Sequence, residues 1–142
     1  MTPRTTPLAK AGFLVAMVGL AAVLLVSCGG HADTQQTTIS VRYSQFSQEV
    51  IQVRAGQPVT FELRNDDPIL HEWIVGTEAM HDGHRSGTEP HHDEVPTEVS
   101  LPAYETRFTT VRFETPGDYA FICHLPGHEA YGMKGTVRVV ES

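Results

Sequence analysis

The sequence predicts an all-β domain, an antiparallel β-sandwich of seven to eight strands. Short segments in which apolar and polar residues alternate recur along the chain, as in strands that bury one face. Turn signals separate these segments, and the chain contains 12 Gly and 9 Pro. No segment shows the longer period of a convincing helix. Several short strands with turns between them are typical of a sandwich.

The predicted strands follow in order along the chain. Alternation around Ile39 and Val41 predicts the first, and the turn at 55–58 separates the second from the third. In the fifth strand we expect Phe108 or its neighbours to face the core, in step with Val111 and Phe113. The strands are assigned to residues 38–43, 50–54, 59–63, 69–75, 104–113, 119–123 and 133–140.

Length and composition exclude several classes of protein. A chain of 142 residues has room for one domain at most. Its net charge of −7 disfavours nucleic acid as a partner, because phosphate binding depends on clustered Lys and Arg. Its two cysteines, Cys28 and Cys123, are too few for a disulfide-rich scaffold or a four-cysteine zinc site.

The N-terminal segment is typical of a secretory signal. Arg4 and Lys10 precede the apolar run 11–26, and Cys28 follows at the expected cleavage point. The segment resembles a bacterial lipobox, which implies a lipid on Cys28 that anchors the protein to the cell membrane on its extracytoplasmic side. An ordinary secretory signal and an uncleaved anchor are the alternatives. The predicted division is a signal peptide at 1–27, a flexible tether at 28–37 and a folded domain at 38–142.

A polar segment at 76–96 interrupts the strand pattern, and we interpret it as a loop insertion between two strands. It combines five acidic residues with four histidines, and imidazole with carboxylate suits Cu(II), Zn(II) or Ni(II). One hypothesis is a second metal site, and the other is a solvated acidic loop with incidental histidines. The four histidines are His81, His84, His91 and His92.

The chemistry of the domain centres on Cys123, His128 and Met133. Cys123 ends an apolar strand, and the turn that follows can bring the three side chains toward one point. His71, inside the apolar run 69–75, can supply a second imidazole. Two His and one Cys with a weak axial Met form the ligand set of a blue-copper electron-transfer site.

This pattern resembles the cupredoxins of the plastocyanin and azurin group. The resemblance implies a Greek-key sandwich and one type 1 copper ion held by His71, Cys123, His128 and Met133. It also implies one-electron transfer between larger partners. Many cupredoxins carry Asn after the first His ligand, where it helps to tie the ligand loops together. Here that position is Glu72, so the surroundings of the ligands are expected to differ.

Other copper families fit the residues less well. A dinuclear copper centre needs a second Cys in the ligand loop, and a multicopper oxidase needs further His pairs and several domains. Copper nitrite reductases place a copper-binding His before the Cys, whereas Ile122 precedes Cys123 here. We interpret His124 as a loop or surface histidine, and we expect no enzymatic activity.

Two functions remain open. The first is a monomeric electron carrier that meets its redox partner proteins through a weak apolar patch around His128, formed by Leu125, Pro126 and Ala130. The second is a copper-binding or copper-tolerance lipoprotein, in which the His-rich loop stores or delivers additional metal. Metal stoichiometry separates the two.

Overall fold

A computed structural model describes residue 1 and residues 34–87 and 95–142. The chain separates after Gly30 into two units, and the described strands belong to the second, which spans 31–142. The described part forms nine strands and one helix. They are β1 (Gln35–Arg42), β2 (Gln45–Phe46), β3 (Val50–Arg54), β4 (Pro58–Asn65), β5 (His71–Gly76), α1 (Glu78–Ser86), β6 (Glu98–Leu101), β7 (Thr106–Arg112), β8 (Gly117–Ile122) and β9 (Lys134–Val140).

The strands form two sheets, which confirms the predicted β-sandwich class. One sheet has the order β2-β1-β4-β7 and the other the order β3-β9-β8-β5-β6. The β1–β4 and β3–β9 pairs are parallel, whereas the other pairs are antiparallel. The sheets are therefore mixed, while the sequence had predicted antiparallel pairing alone. Residues 45–46 and 98–101 add two short strands that the alternation did not predict.

The core lies between the two sheets and is built around three aromatic rings. Phe61 and Trp73 lie 4.8 Å apart between ring centroids, and Trp73 lies 6.4 Å from Phe121. All three side chains are fully buried. Gly135 in β9 faces the Phe121 ring so closely that a Cβ atom there would lie 2.2 Å from Phe121 Cζ. The ring thus occupies the space that any larger residue would need.

Pairing within the five-stranded sheet brings the copper-ligand candidates to one end of the domain. Strands β5 and β8 are antiparallel, with Ile74 opposite Ile122, so the start of β5 lies beside the end of β8. His71 is the first residue of β5, and Cys123 directly follows β8. β9 is also antiparallel to β8, so Met133, just before β9, reaches the same end.

Two predictions about the strands were wrong in detail. β1 begins at Gln35, so the last residues of the predicted tether 28–37 belong to the first strand. Phe108 is 65% exposed, although it or its neighbours were expected to face the core. Successive side chains in a strand point to opposite faces. Since Val111 and Phe113 are buried, the even-numbered Phe108 faces solvent.

The predicted loop 76–96 contains α1, which is a correction to the expectation of an irregular insertion. The helix begins after Thr77, and Gly87 ends it in the left-handed conformation, with its N–H directed to the carbonyls of the last turn. Glu78 in the first turn and Arg85 in the last complement the helix dipole. Within 34–87 and 95–142 no helix is long and apolar enough to cross a membrane.

Candidate metal centre

Three of the predicted copper ligands lie together at the end of the sandwich. His71 Nδ1 is 3.3 Å from His128 Nδ1, and Cys123 Sγ is 3.2 Å from the same nitrogen. The three ligand atoms all lie within 4.8 Å of one another. His71 and Cys123 are fully buried, and His128 is partly exposed. Over the described ranges, this is the one group of three His, Cys or acidic side chains whose ligand atoms come this close.

Backbone hydrogen bonds shape the ligand loop, which we define as residues 123–133. The Cys123 N–H donates to the Met133 carbonyl at 3.2 Å, and the Met133 N–H donates to the His128 carbonyl at 3.0 Å. The His128 N–H donates to the Leu125 carbonyl, which tightens the turn. Gly127 has a φ of 86°, a conformation that favours glycine. These contacts hold Cys123, His128 and the buried Met133 next to one another.

The Cys123 thiol is free and buried. Burial raises the pKa of Cys123, while the N–H groups of Leu125 and Glu72 act in the opposite direction. The Glu72 N–H lies 3.4 Å from Cys123 Sγ. Without metal the thiol therefore keeps its proton at neutral pH, and a metal ion must displace that proton to bind the thiolate.

Asp67 orients His71 from behind the site. Its Oδ2 atom lies 3.0 Å from His71 Nε2, and both groups are buried. Burial alone would raise the pKa of Asp67, but hydrogen bonds from Ser44, Tyr43 and His71 outweigh it, and the pKa lies below its ordinary value. The carboxylate is thus ionised and accepts a hydrogen bond from the Nε2–H of His71. The Nδ1 lone pair of His71 is left to face Cys123 and His128.

The Asp67 carboxylate is held by a tight turn between β1 and β2. The N–H groups of Tyr43 and Ser44 each donate to it at 2.7 Å. Both residues have a positive φ, 56° and 55°, which is uncommon outside glycine and asparagine. The two hydrogen bonds offset the conformational cost of this turn. The β1–β2 turn and the His71 ring are thereby joined through one carboxylate.

Asn65 ties together the segments that carry Asp67 and His71. Its side-chain amide donates to the carbonyls of Ile69, Leu101 and Pro102 at 2.7, 2.8 and 3.0 Å. Its Oδ1 atom accepts the Asp67 N–H at 2.9 Å. Glu72 replaces the tying Asn that many cupredoxins carry after the first ligand. Asn65, at the end of β4, makes a different tie, between the segment that precedes His71 and residues Leu101 and Pro102.

Comparison with protein families decides the identity of the fold. Residues 14–139 match the family described as the cupredoxin-like domain. The chain belongs to the cupredoxin family. The predicted resemblance is confirmed, and the Cys, His and His donors of this cupredoxin are those that a copper ion prefers. Copper is therefore the cofactor of the domain.

Two characterised proteins are similar to this cupredoxin in sequence. The copper-resistant cuproprotein CopI of Rubrivivax gelatinosus is 32% identical over 117 residues, which cover 78% of this chain and 70% of that protein. The copper-resistant cuproprotein CopI of Pseudomonas aeruginosa is 26% identical over 127 residues, covering 66% of this chain and 70% of that protein. Both alignments include most of each relative.

Solved auracyanin structures share the fold. Dithionite-reduced auracyanin from Roseiflexus castenholzii has a TM-score of 0.65 at 20% identity, and covers 75% of this chain and 98% of its own. Auracyanin A from Chloroflexus aurantiacus, a blue copper protein, has a TM-score of 0.58 at 24% identity. That match covers 74% of this chain and 98% of auracyanin A. At these identities the likeness concerns the fold alone.

The remaining predicted site residues are divided between described and undescribed parts of the chain. His81 and His84 lie on α1 with their side chains buried. His91, His92 and Cys28 lie outside the described residues.

His124 lies in the ligand loop, which agrees with one part of its interpretation as a loop or surface histidine, but it is not a surface residue. Its side chain is 8% exposed, because α1 covers it and the His81 ring faces it. Sequence reasoning missed this because the burial depends on a helix that it did not predict. Thr77, Glu78, Arg85 and Gly87 were the available helix signals.

Proposed function

We propose that this cupredoxin is a mononuclear type 1 copper protein that performs one-electron transfer. The observation that carries the proposal is the meeting of His71 Nδ1, His128 Nδ1 and Cys123 Sγ at one point. Met133, buried beside them, is proposed as the weak axial ligand. A bound copper ion supplies the chemistry by alternating between Cu(I) and Cu(II), which takes up or releases one electron.

The residues around the site hold its donors in place, as electron transfer requires. His71 is fixed by Asp67, and Asp67 is fixed by Asn65 and by the β1–β2 turn. Cys123 receives the N–H of Glu72 and donates its own N–H to Met133. A site with so little freedom rearranges little when the charge of its ion changes by one. Small rearrangement favours rapid electron transfer.

An apolar surface beside the partly exposed His128 supports contact with redox partners. Pro126 and Ala130 of the ligand loop are exposed, and Leu125 is partly so. On the other ligand segment, Ile69 and Leu70 are 47% and 45% exposed directly before His71. We propose that redox proteins dock here in small, short-lived encounters. The chain is proposed to act as a monomer without enzymatic activity.

Copper tolerance is the second candidate function, and a separate observation favours it. Both characterised relatives are named copper-resistant cuproproteins. In this role the protein binds excess copper at the type 1 site, and copper binding is the function. For either function we propose an extracytoplasmic location with a lipid on Cys28 as the membrane anchor.

Spectroelectrochemistry of the copper-loaded protein tests the electron-transfer proposal. We expect a single reversible one-electron wave, with oxidised and reduced forms that interconvert over repeated cycles without loss of copper. Loss of the ion on reduction, or an irreversible wave, would contradict a carrier. The apolar surface is tested in parallel with Leu70→Ser, which should slow electron exchange with a protein partner and leave the potential unchanged.

Growth of a copper-sensitive bacterium that expresses the protein tests copper tolerance. We expect the wild-type chain to raise the copper concentration that stops growth, and the Cys123→Ser variant to raise it less. Equal growth with and without the protein would argue against tolerance. If the wild-type chain and the Cys123→Ser variant gave equal protection, copper binding elsewhere in the chain would be responsible for the tolerance, and not the type 1 site.

A further inference from the structure

A second group of histidines lies beside the copper centre, between α1 and the ligand loop. His81 Nδ1 faces His124 Nε2 at 2.9 Å. The ring of His84 stacks on that of His124, with centroids 5.2 Å apart and an interplanar angle of 25°. The side chains of His81, His84 and His124 are 0%, 2% and 8% exposed. Three imidazoles are thus buried together, outside the type 1 ligand set.

The hydrogen bonds of His81 define which of its nitrogens is available. His81 Nε2 lies 3.1 Å from the Ala120 carbonyl, which can only accept a proton. The Nε2 atom of a neutral His81 therefore carries the hydrogen, and its Nδ1 lone pair points at His124. The bond to Ala120 also fixes the ring, as a hydrogen bond to the far nitrogen does in many metal-bound histidines.

On its far side His124 faces a carboxylate, at a distance longer than a hydrogen bond. Its Nδ1 atom lies 3.7 Å from Glu129 Oε2, and Arg85 holds that carboxylate in place through contacts of 2.7 to 3.2 Å. Movement of one proton from Nε2 to Nδ1 of His124 would turn the Nε2 lone pair toward His81. Two nitrogens 2.9 Å apart can both reach one metal ion at about 2.0–2.1 Å, the usual distance for imidazole.

We propose that His81, His124 and His84 form a second copper(II) site, distinct from the type 1 centre. His81 Nδ1 and His124 Nε2 already face each other, and His84 joins as the third ligand by rotation of its ring from the stacked position. Three neutral imidazoles suit Cu(II), which also binds most tightly among the divalent first-row ions. Glu98, 3.7 Å from His84 Nε2, and Glu129 lower the charge cost of a buried dication.

This site differs from the one that the sequence suggested. The sequence grouped His81 and His84 with His91 and His92 in one loop, whereas the fold directs the first two inward to His124. The proposal does not rest on the proposed electron transfer, because it uses none of the type 1 ligands. The second copper site and the proposed electron transfer are therefore tested separately, the first by the type 2 signal and the second by the type 1 signal.

Copper titration of the purified protein, followed by electron paramagnetic resonance and visible absorption, tests the second site. We expect the wild-type chain to take up a second equivalent of Cu(II) with a type 2 spectrum after the type 1 site is filled. In His81→Gln and in His84→Ala, affinity for this equivalent should fall by about 10-fold or more, with the type 1 absorption retained. The retained absorption also shows that each variant is folded.

The double variant with His91→Ala and His92→Ala is the matched control, and we expect it to keep both equivalents. A wild-type protein that takes up one equivalent would overturn the second site and leave the type 1 centre intact. Retention of the type 2 signal in His81→Gln and His84→Ala would also overturn it, as would its loss in the control. Absence of the type 1 absorption would instead contradict the proposed function.

Discussion

Asp67 accepts a hydrogen bond from His71, with 3.0 Å between Asp67 Oδ2 and His71 Nε2. The bond sets which nitrogen of His71 faces Cys123 and His128. It also places a buried negative charge directly behind one proposed copper ligand. The sequence offered no sign of this role, because Asp67 stands in a run that is typical of a turn.

Replacement of Asp67 by Asn tests this relationship. Asp67→Asn removes the charge that stabilises the doubly charged ion and frees the His71 ring to turn. We expect copper(II) affinity to fall by about 10–100-fold, the range typical of such supporting residues. Competition with a chelator measures it. Asp66→Asn is the control, since Asp66 is exposed and pairs with Arg64. An equal loss in both variants would contradict a specific role for Asp67.

Asn65 provides a test of how the ligand segments are tied. Asn65→Ala leaves the carbonyls of Ile69, Leu101 and Pro102 without their donor, and the Asp67 N–H without its acceptor. We expect the free energy of unfolding of the metal-free protein to fall by about 2–3 kcal/mol, because buried polar groups lose their partners. Urea unfolding measures the change. A loss below about 0.5 kcal/mol would show that water replaces the amide without cost.

Gly135 tests the packing of the sheet behind the metal centre. A Cβ atom at this position would lie 2.2 Å from the Phe121 ring, which is itself packed near Trp73. We expect Gly135→Ala to lower the free energy of unfolding by about 1–3 kcal/mol through overpacking. A second substitution, Phe121→Leu, should make Gly135→Ala less costly than it is in the wild-type background. Equal costs in the two backgrounds would argue against this contact as the cause.

The metal-free protein should lose stability in mild acid. Burial has the largest effect on the pKa of His124 and the nearby His81 the second largest, and the pKa is lowered from 6.5 to about 4. Between these pH values the unfolded chain binds a proton at this position and the folded chain does not. The free energy of unfolding therefore has its full value above pH 6.5, and it decreases as the pH falls from 6.5 toward 4. His71 contributes in the same direction, because burial lowers its pKa too.

Urea unfolding of the metal-free protein at several pH values between 7 and 4.5 checks this prediction, and the free energy of unfolding should decline over the interval. The His124→Gln variant, which cannot titrate there, should decline less steeply. A free energy of unfolding that stays constant from pH 7 to pH 4.5, or that rises, would contradict the assigned burial of His124.

Local patterns were enough to predict the sandwich and the meeting of His71, Cys123 and His128. Cys123, His128 and Met133 lie close together in the sequence, within one loop. His71 stands out as a polar residue in an apolar run. These signals are short-range, so the sequence reveals them directly. Residues that support the site depend on partners far away in the chain, as Asp67 does on Tyr43. Their polar side chains look like those of any turn.

The segment after β5 was harder to predict for a different reason. Its histidines and acidic residues suggested a loop that either binds metal or is solvated, but His81 and His84 are three positions apart and share one face of α1. That face packs toward β8, where the Ala120 carbonyl accepts the hydrogen bond of His81. The burial of His124 follows from the same packing. A polar composition therefore concealed an amphipathic helix whose inner face is made of histidines.

The visible absorption spectrum of the protein with one equivalent of Cu(II) tests the central claim most directly. If Cys123 binds copper as a thiolate with His71 and His128, the wild-type protein shows an intense thiolate-to-copper charge-transfer band, and the Cys123→Ser variant lacks it. A wild-type protein without this band, or a band that persists in Cys123→Ser, would contradict the assignment of the type 1 copper site.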